Sequence, residues 1–422
     1  MTYEINKFGG ASVNSASAVK NMADIVEHYS HKPVVIVVSA MGKTTNNLEL
    51  LVPRSGVLPA DWKETLAKVR DYHYDIIGQL FANDSTEVEH KVERLLHLLE
   101  EQLQQPSFDY NYSYDQIVSV GELISTTIVS EYLTYRGVAN KWMDVRSIVK
   151  TDATYREGKV DWELTQSCVN KILKPVVDEC GIVVTQGFIA GAIQGSTTTL
   201  GREGSDYSAA ILAFCLEAKA MVIWKDVPGF LNADPKFFSN TQKINTIPYS
   251  EAIELAYYGA SIIHPKTVKP LQNKEIPLYV KSFLAPQSEG SVIKTATHID
   301  PETPLYIFKN NQVLLSIMPK DFSFIAEDNL QKIFGEFAEI GIKVNMIQNS
   351  ALSFSVCIDS HHLVFDKLIP SLQKDFHVRY NEGLQLITIR YYTPEIITEI
   401  VGHRKIYLEQ HSRITAQIIV DR

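Results

Sequence analysis

Five short stretches hold the residue types that bind and transfer phosphoryl and carboxylate groups. Lys7-Phe8-Gly9-Gly10-Ala11-Ser12 follows an apolar strand and precedes a helix. Its glycines let backbone N–H groups approach an anion, and the helix start adds positive dipole. Lys7 stands at the strand end, where a phosphate would lie. The stretch matches neither GxxxxGK[ST] nor GxGxxG, and a tight turn with a surface lysine fits the same residues. Val37 to Leu48 is a second strand ending in a hydroxyl-rich turn, where Ser39, Thr44, Thr45 and Asn46 offer donors to carboxylate or phosphate oxygens. Ordinary turn and cap chemistry explains them equally well.

Ser119 to Ser125 places Glu122 after Gly121, read here as a strand end entering a helix. Glu122 could bind a substrate ammonium, or complement a helix dipole in the first turn. Thr197 to Ala210 is the densest polar cluster. Arg202 brings a planar fork for a carboxylate, Gly201 and Gly204 permit close backbone approach, and Asp206 begins a helix. A capped helix after a loop would also account for it. Trp224 to Lys236 carries a strand-end Lys225-Asp226 and a Pro-Gly turn, suited to a nucleotide or to a plain loop. His264 precedes a proline with no nucleophile spaced near it, and reads as structural.

These stretches need a scaffold. Tyr3–Phe8 and Val34–Val38 read as strands around a helix carrying Val19, Met22, Ile25 and Val26, the start of a parallel α/β sheet. Residues 52–112 read as a mostly helical insertion of two amphipathic helices, with Asp84 or Ser85 as a cap and Pro106 as a stop. Ile117–Val120, Ile182–Thr185 and Met221–Trp224 read as further strands. The proline-rich stretch from Pro286 to Pro304 marks a domain boundary. Beyond it come strand Val313–Ile317, helix Asn329–Ile340, strands Ile342–Ile347 and Leu352–Ile358, and helix Leu363–Leu372. A shorter unit of similar type follows, with Leu384–Arg390, a helix near Pro394–Ile400, and Arg413–Val420.

Composition narrows the function. A length of 422 residues implies two or three domains at ~100–200 residues each. With 45% hydrophobic and 21% charged residues, wholesale disorder is excluded. The net charge of −9 argues against a nucleic-acid binder. Cys168, Cys180, Cys215 and Cys357 show neither CxxC spacing nor a histidine pair, so neither a structural zinc site nor a disulfide scaffold is expected. The opening residues lack a signal-peptide pattern. The longest early apolar run, Val34–Val38, is far short of the ~20 residues that span a bilayer. A cytoplasmic protein without membrane partners is expected.

Together the motifs resemble those of the aspartokinases, in the amino-acid kinase family. Lys7-Phe8-Gly9-Gly10, Ser39-Ala40, Thr45-Asn46, Gly121-Glu122, Gly201-Arg202-Glu203-Gly204-Ser205-Asp206-Tyr207, Asp226-Val227-Pro228-Gly229, Asp234-Pro235 and Gly259-Ala260 with His264-Pro265 stand in the family's order over nearly the whole chain. The resemblance implies an α/β fold with a mainly parallel sheet sandwiched by helices. Tandem α+β ACT units of ferredoxin-like type would follow it. It places a catalytic domain at residues 1–293 and a regulatory region at 304–422. The first ACT unit would be 311–377, and the second 378–422 completed by a strand at 304–310.

The implied reaction transfers the ATP γ-phosphoryl group to the β-carboxylate of L-aspartate, the first step toward lysine, threonine and methionine. By resemblance, Lys7 neutralises the transferring group and Asp206 holds Lys7. Gly9 and Gly10 donate N–H groups. Arg202 takes the α-carboxylate and Glu122 the ammonium, with Glu203, Gly204 and Ser205 also among the substrate-binding positions. Ser39 and Thr45 orient the β-carboxylate. Phe8, Lys225, Asp226, Leu231, Lys236, Ser261 and Ile262 occupy nucleotide positions. Mg2+ would ride on ATP oxygens and water, since no carboxylate cage is visible. A homodimer through residues 304–422 is expected.

Three departures from the family pattern stand out. Ser261 replaces a frequent lysine, leaving Lys225 or Lys266 to supply its charge. Asn345 stands where lysine-inhibited relatives carry Asp, so with Met346, Gln348 and Ser350 it forms an altered effector site. The last unit is short and lacks the family's final helix. Two other readings compete: a kinase for another acid, such as glutamate or acetylglutamate, and an amino-acid sensor with a degenerate kinase domain.

Overall fold

The computed structural model describes every residue except Met1, Lys32, Asn83, Ser239, Ser261, Ile262 and Phe322. It divides into two compact units. The first comprises Met1–Phe230, Lys243–Ile253 and Ser261–Pro301; the second comprises Leu231–Gln242, Glu254–Ala260 and Glu302–Arg422.

The first unit is built on an eight-stranded sheet. In spatial order its strands are Thr246–Pro248, Ser291–Lys294, Leu278–Ser282, Ala220–Lys225, Glu4–Phe8, Val34–Val38, Ile182–Gln186 and Lys141–Met143. All neighbours are parallel except the pair formed by Leu278–Ser282 and Ser291–Lys294. The central strands Glu4–Phe8, Val34–Val38 and Ile182–Gln186 are buried at every position. This is why Val34–Val38 is continuously apolar: a parallel strand covered on both faces has no polar side. Ala16–Tyr29, Trp62–Phe81 and Thr86–Leu103 join the same core through Val19, Met22, Leu66, Val69, Val92 and Leu96. The Thr86–Leu103 helix starts after Ser85, which makes no side-chain cap bond, and ends before Pro106.

One expected strand is overturned. Ile117–Val120 lies inside the 26-residue helix Tyr110–Tyr135, capped by Asp109. Residues 117–126 are buried on every side, so their apolar run carries no helical period. A short apolar run cannot by itself separate a buried strand from a buried helix. Glu122 therefore sits in mid-helix, not at a helix start.

The second unit is one antiparallel six-stranded sheet. Its order is Val344–Asn349, Phe354–Asp359, Leu305–Pro319, Phe376–Arg390, Thr415–Val420 and Ile406–His411. Leu305–Pro319 and Phe376–Arg390 are 15-residue strands paired end to end, with register shifts around Gln312. Leu305–Lys309 pairs with Leu386–Arg390, so the early strand joins the later unit's edge of the sheet. Ile333, Phe337, Val364 and Leu368 cover one core with Val313, Leu315 and Ile317. Val401 covers a second core with Ile387, Ile389 and Ile418. The strand Ile406–His411 had no sequence signal, because its side chains are half-buried or exposed. All four cysteines are free; burial pushes the Cys215 and Cys357 thiols up to about 12.

A Cβ placed on Gly187 would stand 2.6 Å from Ser205 Cβ and 2.8 Å from its Cα. Backbone contact of this kind has no flexible end to move aside. Gly187→Ala is therefore expected to destabilise the fold by about 1–3 kcal/mol in urea unfolding, by displacing the start of the Gly204–Leu216 helix.

Candidate active site

The parallel register aligns the strand ends at Phe8, Val38, Gln186 and Lys225 along one edge of the large sheet. Glu4–Phe8 lies between Val34–Val38 and Ala220–Lys225, so the connection after it runs to one side while the chain later places Ala220–Lys225 on the other. A crevice forms where connections diverge at the carboxyl ends of such strands. A cavity of about 810 Å³ opens there, within the range of small-molecule sites. It brings together Lys7, Gly10, Ser39, Thr45, Glu122, Arg202, Glu203, Gly204, Ser205, Asp206 and Lys225.

Lys7 Nζ lies 2.6 Å from Asp206 Oδ1, and both side chains are almost wholly buried. Asp206 stands in the first turn of Gly204–Leu216, where the helix dipole favours its charge. Removing one partner of a buried pair strands the other charge and costs about 3–5 kcal/mol. The pair thus fixes an ammonium at the cavity wall. Ser39 is anchored by its backbone: its N–H donates to Phe8 O at 3.1 Å, and its carbonyl accepts from Ser125 Oγ at 2.7 Å. Thr45 follows Thr44 in the short helix Thr44–Glu49, and Thr44 Oγ1 donates to Met41 O.

Glu122 is 2% exposed. Its Oε1 accepts from Ala40 N–H at 3.4 Å, while its Oε2 is buried without a hydrogen-bond partner among the described residues. Burial pushes the carboxyl up to about 8, against the pull of the Ala40 N–H. Arg202 lines the same cavity, is exposed, and makes no ion pair among the described residues. A desolvated carboxyl lacking a cation and a guanidinium lacking an anion are complementary to an α-amino acid. Glu203 is held differently: its backbone is left-handed at φ +54°, and Oε2 accepts from His264 N–H at 2.9 Å. His264 also caps the Pro265–Asn273 helix through Nδ1, which is structural work.

The other expected residues are placed as follows. Phe8 is fully buried with its ring stacked on Trp224, so it offers only backbone. Gly9 precedes the 3-10 turn Gly10–Val13. Asp226 is exposed in the turn after Ala220–Lys225, and Lys266 is exposed. Leu231 and Lys236 belong to the second unit. Ser261 and Ile262 lie outside the described residues. In the second unit, Asn345 Oδ1 accepts from Lys309 Nζ at 2.8 Å. Its Nδ2 donates to Gln312 Oε1 and Asp359 Oδ1. Met346 is buried, Gln348 is exposed, and Ser350 bonds Ser353. Among the described residues no group of three or more His, Cys, Asp or Glu is placed to hold a metal ion. No described helix is long and apolar enough to cross a membrane.

Sequence reasoning missed Asp115, Tyr114 and Arg156. Asp115 is fully buried, and its carboxylate accepts from Arg156 N–H, Thr199 N–H and Thr199 Oγ1. Burial pushes its carboxyl up, and these donors oppose the shift. It lies seven residues before Glu122, on the same helix face about 10 Å away. That spacing would have been the signal, had the segment been read as helix.

The sequence model of the amino acid kinase family matches residues 4–282, and the fold and cavity are those of a small-molecule kinase of that class. The lysine-sensitive aspartokinase 3 of Escherichia coli is 32% identical over 91% of this chain and 86% of its own. Aspartokinase 1 of Arabidopsis thaliana is 31% identical over 91% of this chain and 70% of its own. A crystal structure of E. coli aspartokinase III with aspartate and ADP aligns at TM-score 0.83 and 29% identity, covering 99% of this chain and 96% of that one. The chain belongs to the amino acid kinase family and, within it, to the aspartokinases.

Holding Glu122 neutral at pH 7, where the unfolded chain would ionise it, costs about 3 kcal/mol. The folded form keeps the extra proton between about pH 4.5 and 8, so stability falls as pH rises through that window. Without substrate, Glu122→Gln should unfold at higher urea than the parent at pH 8. The two should converge near pH 4.5.

Proposed function

We propose that the cavity binds L-aspartate beside MgATP and passes the γ-phosphoryl group to the β-carboxylate, giving 4-phospho-L-aspartate. The observation that carries this is one cavity lined by the buried Glu122, by Arg202, which makes no ion pair among the described residues, and by the Lys7–Asp206 pair. Glu122 takes the α-ammonium and ionises as it does so. Arg202 takes the α-carboxylate. Ser39 and Thr45 direct the β-carboxylate toward Lys7. That carboxylate, with an ordinary value near ~3.9, is already ionised, so no general base is required. Its oxygen forms the new bond to phosphorus as the β–γ bridge breaks and ADP leaves. The barrier is repulsion between two anions, and Lys7 lowers it by meeting the charge on the transferring phosphoryl oxygens. Asp206 keeps Lys7 aimed. Magnesium, entering as MgATP, would supply charge shielding to the triphosphate.

Lys225 supplies the cation that Ser261 does not, because Lys225 lines the cavity and Lys266 does not. Catalysis belongs to residues 1–293 and regulation to 304–422, in a cytoplasmic homodimer joined through the regulatory sheet, whose outer strands Val344–Asn349 and Ile406–His411 leave unpaired edges. The E. coli relative is lysine-sensitive. Here the Asn345 amide carries no charge, and its oxygen already accepts from Lys309, so a lysine ammonium gains little at that position.

Hydroxylamine trapping of acyl phosphate, with aspartate and glutamate compared, tests the reaction. Aspartyl hydroxamate alone is expected; no hydroxamate from either acid would favour a sensor with a degenerate kinase domain. Lys7→Ala and Asp206→Asn should each lower kcat by about 10²–10³. Lys225→Ala should raise the ATP KM, and Lys266→Ala should leave it unchanged. Calorimetric titration with lysine, threonine and methionine is expected to give no heat for lysine; a saturable lysine isotherm would restore lysine as effector.

A further inference from the structure

We infer that Arg156 is a second guanidinium of the acceptor subsite, closing on the α-carboxylate already met by Arg202. The inference rests on the aspartate reading above. Arg156 lines the same cavity as Glu122 and Arg202. Its root is fixed. The backbone is left-handed at φ +69°, and its N–H donates 2.8 Å to the buried Asp115. Its carbonyl oxygen lies 3.2 Å from where a Cβ on Gly201 would stand, so the loop presses on the residue just before Arg202.

The tip of the side chain is held far less firmly. Arg156 is exposed, and among the described residues it makes no ion pair. Its guanidinium rests over the faces of Tyr114 at 4.4 Å and Tyr110 at 5.7 Å. A ring face holds a solvated cation weakly, and a carboxylate replaces it readily. Both tyrosines lie on the helix that carries Glu122, and Asp115 also binds Thr199, just ahead of the Arg202 loop. Every anchor of Arg156 thus belongs to the ammonium and α-carboxylate end of the cavity. Lys7 and Asp206 supply none of them.

Charge gives a reason for a second fork. The cavity is lined by four cationic side chains (Lys7, Lys225, Arg202, Arg156) and four carboxyl groups (Glu122, Glu157, Glu203, Asp206). Lys7 is committed to Asp206. Gathering a dicarboxylate and a triphosphate therefore falls heavily on the arginines. A carboxylate has about four lone-pair sites, enough for two guanidinium forks.

The test compares L-aspartate with its α-methyl ester, which keeps the ammonium and β-carboxylate but loses the α charge. Parent, Arg156→Ala and Arg156→Lys enzymes are assayed with each, as substrate or competitive inhibitor. Arg156→Ala should raise the aspartate KM tenfold or more, with kcat and ATP KM within about twofold. The same change should leave the ester constant unmoved, and Arg156→Lys should fall between. An equal penalty for both acceptors, a shift in ATP KM instead, or no change would overturn the assignment. A parent enzyme inactive with aspartate would overturn the acceptor reading itself, an outcome distinct from those three.

Discussion

Two anions must meet inside this protein, and water is a better host for either than a protein interior is. The site therefore depends on fixed positive charge that costs nothing to reorganise when the reactants arrive. In the proposed reaction Lys7 would meet that demand, since the structure pairs it with Asp206 at 2.6 Å and so holds it in place. The same demand explains where the site lies. Parallel strands bring Lys7, Ser39 and Lys225 from distant sequence positions to one sheet edge. There the helix start at Gly204 adds its own partial positive charge.

In the proposed reading, selectivity would rest on a different interaction, the desolvation of Glu122. A carboxyl enclosed in mid-helix with one oxygen unsatisfied is a liability to the empty protein and an asset to the occupied one. On the proposed reading, a bound substrate ammonium would bring the missing cation. Seven residues earlier on the same helix, Asp115 shows the contrast. Its carboxylate is satisfied by three donors of its own chain, tying the Arg156 and Thr199 segments to the helix.

The second unit follows another logic. Its two long strands run through both α+β portions, so one ladder of backbone hydrogen bonds spans the whole sheet. Where the ladder slips near Gln312, side chains take over. Gln312 bonds Asp359, Asn345 bonds both, and Lys309 caps Asn345. A residue expected to face an effector is thereby tied into the sheet's own polar network.

Many of the candidate residues that the structure gathers in one cavity were legible in the sequence because their types and order are constrained by local needs: glycines where backbone must approach, hydroxyls at turns, a carboxylate (Asp206) in a helix's first turn. The central strands were legible too, since a strand covered on both faces must be apolar throughout. The helix around Glu122 was not, because full burial erases the period that separates helix from strand. Asp115 and Arg156 were invisible for a related reason. Their importance comes from contacts across 41 or more residues of chain, which no local pattern encodes. Sequence alone determined which candidate groups the chain carries and in what order. Only the tertiary structure decided which of them face one another, because desolvation and distance are properties of the folded cavity.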